Sequence, residues 1–253
     1  MLKVRVMPTL LYRDQGLVKG EGFNSWRCIG TPMQAVKVYN MRQVDELVFL
    51  DITATNNNQP IDFELIDHLA DDCFMPFTVG GGIRSAEDVA KLLRVGADRI
   101  VLNSAAVENP DLVREIANRF GSQCVVVSID ARRKPDGAHE VFTHAGTRPA
   151  GIGPVSLAAQ MQEQGAGEIL LTSIERDGTM TGYNLELIKK VSCAVGIPVI
   201  ASGGAGSYDD MYRALSEGGA SAAAVSAMFH FTEQTPQEAK KYLHGKGINV
   251  RLA

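Results

Sequence analysis

The 253-residue sequence has few of the residues on which disulfide-rich and metal-binding proteins depend. Its four cysteines, Cys28, Cys73, Cys124 and Cys193, are dispersed without Cys-x-x-Cys spacing. This pattern argues against a disulfide framework or a zinc site and favours reduced thiols in a cytoplasmic protein. The five histidines show neither metal-ligand spacing nor pairing with a strand-end cysteine or serine, so no hydrolytic triad is expected. We therefore expect neither a metal nor a cofactor.

Long apolar runs and a strong charge imbalance are also missing. No apolar run approaches the roughly 18 residues of a membrane span, and residues 1–11 lack the pattern of a signal peptide. The net charge of -4 gives no general attraction to nucleic acid or anionic membranes. No Pro/Ser-rich linker or low-complexity tract divides the chain. We expect one domain over residues 1–253, cytoplasmic, with no nucleic-acid or membrane partner.

What the chain does contain is a regular alternation of short β-rich runs and amphipathic helical patterns, which is typical of parallel strands with crossover helices. The β-rich runs are Val4–Leu11, Glu46–Ile52, Pro76–Val79, Arg99–Leu102, Cys124–Ile129, Glu168–Ser173, Val199–Ala201 and Ala222–Val225. The helical patterns are Thr31–Arg42, Phe63–Ala70, Ala86–Val95, Asp111–Phe120, Pro154–Gln164, Leu185–Val195, Asp209–Ser216 and Pro236–Leu243. Eight such pairs predict an α/β fold, the (β/α)8 TIM barrel.

The sequence also repeats itself. FTVGGGIR (Phe77–Arg84) has a counterpart in VIASGGAGS (Val199–Ser207), 122 residues later. The same offset relates VDELVFLDI (Val44–Ile52) to AGEILLTSI (Ala166–Ile174), and VLNSA at 101–105 matches AVSAM at 224–228 after one inserted residue. The barrel is therefore predicted to consist of two duplicated half-barrels. Two longer connections, Asp14–Gly30 and a hairpin-like Arg132–Thr147, follow the first and fifth strands.

The paired glycine turns predict two anion sites, because glycine leaves backbone N–H groups accessible near a helix start. A single glycine triplet is more often only a tight turn, and the second copy favours the binding interpretation. The first site is expected at Gly82, Asn103 and Ser104. The second is expected at Asp177, Gly178, Gly203, Gly204 and Ser226. Lys19, in the long connection after the first strand, is expected to add a mobile positive charge.

Two aspartates end apolar strands and are candidates for proton transfer. Desolvation raises the pKa of such a carboxyl group towards the range of a general base. For Asp51 the sequence favours neither of two interpretations. The side chain either transfers protons or has a purely structural role, in which it caps a helix or holds a loop. For Asp130, which ends VVVSID, the residues favour chemistry. Thr172 is expected to orient a substrate hydroxyl.

Charged residues stand near the starts of four predicted strands. These are Arg5, Glu46, Arg99 and Glu168. Side chains of alternate barrel strands point inward in layers, so two cations and two anions are expected to meet on the barrel axis. The sequence leaves two interpretations open: a structural salt-bridge plug, or a gate that opens a path into the barrel.

Several long motifs resemble the cyclase subunit of imidazole glycerol phosphate synthase. They include VDELVFLDITA, PFTVGGGI, AAVENP, GAGEILLTSIERDGT, IPVIASGGAG and the closing NVRL. The resemblance implies a barrel that pairs with a glutaminase subunit and receives its ammonia. It then forms imidazole glycerol phosphate and aminoimidazole carboxamide ribotide from a doubly phosphorylated substrate, a lyase-type step of histidine biosynthesis.

The same resemblance assigns roles to residues. It implies phosphate binding at the two glycine turns and an ammonia gate at the four charged strand-start residues, with Arg99 where the family more often has lysine. It also implies that Asp98 and Gln123 contact the glutaminase.

The sequence departs from the cyclase pattern at the end of the first strand. The family reads close to P-C-L-D-V there, and its aspartate works with the strand-five aspartate as an acid–base pair. This chain has Leu11 at that position and retains Asp130. The departure resembles paralogues from surface-polysaccharide gene clusters, which also share the GLVK run Gly16–Lys19 and the stretch Asn56–Met75. Those paralogues act with a glutaminase and an ATP-dependent amidotransferase that converts an N-acetyl group on a sugar into an acetamidino group.

We therefore expect a barrel that delivers ammonia in acetamidino-sugar formation and binds a phosphorylated or nucleotide-linked small molecule. Two alternatives remain open. One is a histidine-pathway cyclase whose acid has moved to Asp51 or Asp14. The other is a non-catalytic scaffold that activates a glutaminase.

Overall fold

The computed structural model describes residues 3–252, so residues 1, 2 and 253 of the expected domain lie outside the described residues. The strands are β1 (Arg5–Arg13), β2 (Gly16–Glu21), β3 (Asn24–Gly30), β4 (Leu47–Asp51), β5 (Phe77–Gly80), β6 (Arg99–Leu102), β7 (Val125–Arg133), β8 (His139–Thr143), β9 (Arg148–Pro149), β10 (Glu168–Ser173), β11 (Val199–Ser202) and β12 (Ala222–Val225). The α-helices are α1 (Pro32–Met41), α2 (Phe63–Asp71), α3 (Ala86–Arg94), α4 (Ser104–Glu108), α5 (Pro110–Phe120), α6 (Pro154–Glu163), α7 (Leu185–Ser192), α8 (Tyr208–Ser216), α9 (Ala227–Phe231) and α10 (Pro236–Gly245).

Eight parallel strands close into a barrel in the order β1, β4, β5, β6, β7, β10, β11 and β12. The pairing of β12 with β1 joins the two edges, with Arg5 opposite Ala222 and Pro8 opposite Val225. Because each barrel strand is followed by at least one helix, the predicted (β/α)8 TIM barrel is confirmed.

The two half-barrels share details of helix initiation as well as strand order. Helix α3 begins with a capping box formed by Ser85 and Asp88, and α8 begins with the same box formed by Ser207 and Asp210. In each, the serine hydroxyl accepts a hydrogen bond from the aspartate amide and the aspartate carboxylate accepts one from the serine amide. The two capping boxes are 122 residues apart, which is the offset found in the sequence.

Side chains of the barrel strands alternate between two cores. Those that point outward pack against the helices and form the larger core. Those that point inward at mid-height form a small apolar layer on the barrel axis: Met7, Val48, Val101, Val126, Leu170, Ile200 and Ala224. Ala222, which packs against this layer, lies opposite Arg5. This layer, which we call the apolar layer, separates the charged amino-terminal end of the barrel from the polar carboxyl-terminal end.

The long connection predicted over Asp14–Gly30 is present, and it consists of two strands rather than an irregular loop. Strand β1 runs on to Arg13, turns back into β2 and continues into β3, so this segment is an antiparallel β-hairpin. Strand β3 was not predicted, because most of its side chains are exposed and show no apolar alternation. The predicted hairpin-like Arg132–Thr147 is present, as the extended end of β7 paired with β8.

Two five-residue helices, α4 and α9, were not predicted. They follow directly on β6 and β12, and the residues before them, Asn103 and Ser226, have nearly the same backbone angles (φ -124°, ψ -88° and φ -130°, ψ -79°). Asn103 and Ser226 are therefore equivalent positions of the two half-barrels. Within residues 3–252, no helix is both long enough and apolar enough to cross a bilayer.

Candidate functional site

The carboxyl-terminal end of the barrel holds a cleft of about 1210 Å³, counting its open mouth. Trp26 and Phe23 from the β2–β3 hairpin and Ala145 from the β8–β9 connection form part of its wall. The residues predicted to bind or act on a ligand all line it: Leu11, Lys19, Asp51, Gly82, Asn103, Ser104, Asp130, Thr172, Asp177, Gly178, Gly203, Gly204 and Ser226. The barrel topology thus brings together residues that are more than 200 positions apart.

Asp130 is the most perturbed carboxyl group of the cleft. Desolvation by burial raises its pKa to about 7, and the negative charge of Asp177 adds to the shift, while hydrogen bonds from Ser128 and Thr172 oppose it. The Ser128 hydroxyl donates to Oδ1 at 3.3 Å and the Asn103 amide donates to Oδ2 at 3.2 Å. Among residues 3–252, no cationic side chain forms an ion pair with Asp130. Its charged form is therefore held by neutral donors alone.

The strand register shows what stands at the equivalent position of the other half-barrel. Asp130 on β7 is opposite Thr172 on β10, and Leu11 on β1 is opposite Leu50 on β4. Because Leu50 and Thr172 are related by the offset of 122 residues, Leu11 and Asp130 are equivalent. The geometry thus places an apolar side chain where the second half-barrel has its carboxyl group.

Thr9 is a cleft residue that the sequence reasoning missed. It precedes Leu11 by two residues, as Ser128 precedes Asp130, and the two hydroxyls therefore occupy equivalent positions. Whereas the Ser128 hydroxyl donates to Asp130, the buried Thr9 hydroxyl has no hydrogen-bond partner among residues 3–252. The repeat of Thr9–Leu10–Leu11 as Ser128–Ile129–Asp130 was the signal available in the sequence.

Asp51 holds the turn that follows β4. Its Oδ1 accepts hydrogen bonds from the Thr53 amide (2.8 Å), the Thr53 hydroxyl (2.8 Å) and the Ala54 amide (3.0 Å). Of the two interpretations that the sequence left open, the loop-holding one matches these contacts. Asp14, the other candidate for a relocated acid, lies exposed in the β1–β2 turn, where it accepts a hydrogen bond from Arg13.

The glycine turns are required by the backbone itself. Gly82 and Gly203 have positive φ angles of 71° and 83°. A Cβ atom on Gly82 would lie 2.8 Å from the Cβ of Ala54, and one on Gly203 would lie 2.7 Å from the carbonyl oxygen of Ser173. Close packing therefore accounts for glycine at both turns, whether or not each turn binds an anion.

Lys19 is not mobile, and the prediction that it carries a free charge is wrong. It lies on β2 with only 1% of its surface exposed, and its Nζ is 2.6 and 2.8 Å from the two carboxylate oxygens of Asp177. The Gly22 amide also donates to the carbonyl oxygen of Asp177. These bonds connect the β2–β3 hairpin to the turn after β10. Both carboxylate oxygens of Asp177 are therefore already paired with the ammonium group of Lys19.

The two predicted anion sites differ in their hydroxyl groups. Ser104 accepts a hydrogen bond from the His144 amide at 2.9 Å and donates one to Asn103 at 3.2 Å. Ser226, at the other site, has a buried hydroxyl with no hydrogen-bond partner in the described part of the chain. His144, which the sequence did not single out, belongs to the tight turn between β8 and β9 and brings that turn against the first site.

A ring of ion pairs occupies the amino-terminal end of the barrel. Arg5 contacts Glu46 and Glu168, both at 2.7 Å, and Arg99 contacts Glu168 at 2.8 Å and Glu46 at 3.7 Å. Thr78 adds a hydrogen bond to Glu46 at 2.5 Å. Burial acts to lower the pKa of Arg5. The negative charges of Glu168 and Glu46, together with the hydrogen bonds that they accept from Arg5, outweigh this effect, so the pKa is raised. We call these four charged residues the charged ring.

Asp98 and Gln123 are exposed at the end of the barrel that carries the charged ring. The Asp98 carboxylate accepts a hydrogen bond from the Phe77 amide at 2.8 Å, and the Gln123 amide group donates to the carbonyl oxygen of Phe120 at 3.4 Å. Both side chains therefore remain accessible to a partner at that end. Within residues 3–252, no three His, Cys, Asp or Glu side chains are arranged to hold a metal ion.

A family model described as "Histidine biosynthesis protein" matches the chain over residues 5–235. The match includes every strand of the barrel and both glycine turns, and it ends just before α10. It therefore covers the cleft as well as the charged ring. On this evidence, the chain belongs to the histidine biosynthesis protein family of barrel enzymes.

Proposed function

We propose that this chain is the barrel subunit of a glutamine amidotransferase complex in surface-polysaccharide (O-antigen) biosynthesis. It receives ammonia from a partner glutaminase and delivers it through the barrel for amidination of an N-acetyl sugar. The observation that carries the proposal is the register that makes Leu11 the equivalent of Asp130. A leucine exchanges no proton, so a cyclisation that needs two carboxyl groups lacks one of them.

The layering of the barrel supports conduction of a small neutral molecule. The charged ring covers the amino-terminal end, the apolar layer follows, and the cleft lies beyond it. An apolar layer admits neutral ammonia at a much smaller desolvation cost than ammonium or another ion. Opening of one pair in the charged ring is the step that admits ammonia. We assign Asp98 and Gln123, which are exposed beside the ring, to the glutaminase contact.

Asp130 has a more limited role in this proposal than in a cyclase. With a pKa of about 7, its carboxyl group is partly ionised near neutral pH and accepts hydrogen bonds from the N–H groups of arriving ammonia. It holds the nucleophile at the floor of the cleft and transfers no proton to a second acid. Thr172, opposite Asp130 on β10, stabilises the same carboxylate.

The amidination itself requires a second enzyme. Replacing the amide oxygen of an N-acetyl group by nitrogen requires that oxygen to depart, and an amide oxygen is a poor leaving group until ATP phosphorylates it. We assign this activation to an ATP-dependent amidotransferase, in line with the paralogues that the sequence resembles. The barrel then supplies the nucleophile and the amidotransferase supplies the electrophile.

Reconstitution tests the proposal. Chain, glutaminase, amidotransferase, ATP, an N-acetyl sugar and glutamine labelled with 15N in its amide group should give a labelled acetamidino sugar. In a parallel reaction with the doubly phosphorylated cyclase substrate, the wild-type chain should form no imidazole product. Robust imidazole formation with Leu11 in place would overturn the proposal. Glutaminase stimulation by a chain that binds no phosphorylated ligand would instead support a scaffold.

The second candidate is the histidine-pathway cyclase, and the raised pKa of Asp130 favours it, because such a carboxyl group is suited to acid–base catalysis. The local bonds of Asp51 and the exposure of Asp14 weigh against either residue as the missing acid. Leu11→Asp separates the two functions. If the rest of the site is that of a cyclase, this substitution should raise imidazole formation by about 10²-fold or more, and adding Asp130→Asn should abolish the gain.

A further inference from the structure

We infer that the cleft binds the N-acetyl sugar itself, with one face of the sugar ring on Trp26 and the acetyl methyl group against Leu11 and Leu50. The amide group of the acetamido substituent then faces Asp130 and Thr172. This inference deepens the proposed function and rests on it in one respect: the sugar carries an N-acetyl group. It adds that the sugar binds in this chain and not only on the amidotransferase.

The floor of the cleft has an apolar side and a polar side. Strands β1 and β7 are separated by three strands in either direction around the barrel, so Leu11 and Asp130, at equivalent heights, face each other. Leu50 on β4 and Thr172 on β10 face each other in the same way. Because Leu11 neighbours Leu50 in the strand register and Asp130 neighbours Thr172, the two leucines form one side and the two polar residues form the other.

The β2–β3 hairpin spans the cleft above this floor. It starts at the end of β1, and Lys19 and Gly22 bond it to Asp177 in the turn after β10. Its Phe23 packs against the turn between β8 and β9, where a Cβ atom on Gly146 would lie 2.8 Å from the phenyl ring. The hairpin is therefore held on both sides of the cleft, and the side chains that it presents to the cleft have a fixed position.

Trp26 is the hairpin side chain best suited to contact a sugar. It lines the cleft, is partly exposed and is the only tryptophan of the chain. A Cβ atom on Gly20 would lie 3.1 Å from its Cε3 atom, so the indole ring packs closely against the backbone of β2. The C–H groups on one face of a pyranose ring are apolar and pack on such an aromatic surface, while the hydroxyl groups project outward.

The charges of the cleft favour an uncharged sugar ring. Among the described residues that line the cleft, Lys19 has the only cationic side chain, and its ammonium group is already paired with both carboxylate oxygens of Asp177. The ring is therefore held by apolar contacts and by hydrogen bonds to neutral groups.

An acetamido group matches the two sides of the floor. Its methyl group is apolar, whereas its amide N–H and C=O groups need hydrogen-bond partners. With the methyl group on Leu11 and Leu50, the amide faces Asp130, whose carboxyl oxygens can each accept more than one hydrogen bond. The carbonyl carbon then lies near the ammonia that we assign to Asp130.

Calorimetry with three probes tests the inference on the wild-type chain: N-acetylglucosamine 1-phosphate, glucose 1-phosphate and inorganic phosphate. The two sugar phosphates differ only in carrying an acetamido or a hydroxyl group, so the contribution of the phosphate cancels between them. The acetylated sugar should bind about tenfold more tightly, because it buries a methyl group and adds an amide hydrogen bond. Equal affinity of the two sugar phosphates would overturn the inference.

The fluorescence of Trp26 reports the ring contact directly, because the chain has no other tryptophan. Both sugar phosphates should change its emission, and inorganic phosphate should not. The same change with inorganic phosphate, or none with either sugar, would contradict a sugar ring on Trp26.

Matched variants assign the two contacts. Trp26→Ala should weaken the binding of both sugar phosphates about tenfold, and Trp26→Phe, which keeps an aromatic ring, should restore most of it. Leu11→Ala should reduce the preference for the acetylated sugar to less than about threefold and leave glucose 1-phosphate unchanged. Phe74→Ala, which removes an exposed aromatic ring in the loop before β5, is the control and should change neither affinity. Thermal unfolding checks that each variant is folded.

Two further results would overturn the inference: equal losses in Trp26→Ala and Phe74→Ala, or no binding of either sugar phosphate at millimolar concentration. The binding measurements need neither glutaminase nor amidotransferase. Failed transfer of 15N together with selective binding of the acetylated sugar would therefore overturn the proposed function alone. A labelled acetamidino sugar without selective binding would overturn this inference alone, because only the amidotransferase would then hold the sugar.

Discussion

The two half-barrels have the same backbone plan, but they contribute different polar and charged side chains at the two ends of the barrel. At the amino-terminal end, the first half supplies Arg5, Glu46 and Arg99 to the charged ring. The second half supplies Glu168 only, because the positions equivalent to the two arginines are Cys124 and Ala222.

At the carboxyl-terminal end the relation is reversed. The first half has Leu11 and Leu50 on the floor of the cleft, where the second half has Asp130 and Thr172. Outward-facing apolar side chains and the glycine turns keep the two backbones alike, whereas inward-facing positions at the two ends are free to differ. At these two positions only the second half supplies polar side chains, whereas other first-half residues, such as Asn103, which donates to Asp130, still contribute to the cleft.

The largest expected effect comes from breaking the part of the ring that the first half supplies. Glu46 is 1% exposed and contacts both arginines and Thr78. Glu46→Leu leaves two partly buried cations, whose side chains are 20% and 25% exposed, with one carboxylate, and we expect the free energy of unfolding to fall by about 3–5 kcal/mol. Denaturation in urea at pH 7 measures it.

Two controls accompany Glu46→Leu. Lys190→Ala removes an exposed pair with Glu186 and should cost less than about 1 kcal/mol. A variant in which all four ring residues become Leu or Met should recover much of the lost stability, because well-packed apolar residues often replace a buried ion network without loss. A loss at Glu46 as small as that at Lys190 would mean that the ring is effectively solvated.

The contrast between ends also explains which features the sequence could predict. Nearly continuous apolar runs such as Val125–Ile129 identify a strand locally, because both faces of a barrel strand are buried, and all eight barrel strands were therefore located. Lys19 was misjudged because its partner, Asp177, is 158 residues away and only the fold brings them together. For the same reason the sequence contained no indication that the hydroxyls of Thr9 and Ser226 lack partners, since that depends on every neighbour in the folded chain.

The second prediction concerns how much the buried carboxyl group of Asp130, whose equivalent in the first half is Leu11, lowers the stability of the folded chain when it ionises. The pKa of Asp130 is raised from 3.8 to about 7 in the folded chain. Between about pH 4 and pH 7 the unfolded chain releases this proton and the folded chain keeps it, so stability falls as the pH rises through this window. Above pH 7 both states are ionised and the penalty is constant. Asp130→Asn removes the penalty, so its stability relative to wild type should increase by about 4 kcal/mol between pH 4 and pH 8.

Leu11→Asn is the matched control for Asp130→Asn. It introduces the same amide at the equivalent position but removes no ionisable group, so its stability relative to wild type should not depend on pH. Urea denaturation of the three proteins at pH 4, 6 and 8 gives the comparison. A constant difference between Asp130→Asn and wild type would contradict the raised pKa of Asp130.

The smallest effect concerns the two hydroxyls at equivalent positions, and here the expected signs are opposite. Thr9→Val removes a buried hydroxyl that has no hydrogen-bond partner within residues 3–252 and keeps the shape of the side chain, so it should stabilise the ligand-free protein by about 1 kcal/mol. Ser128→Ala removes a hydroxyl that donates to Asp130 and should destabilise the protein by about 1 kcal/mol. Thermal and urea unfolding without ligand measure both. Effects of the same sign would mean that the Thr9 hydroxyl already has a hydrogen-bond partner, and the contrast between Thr9 and Ser128 would then no longer hold.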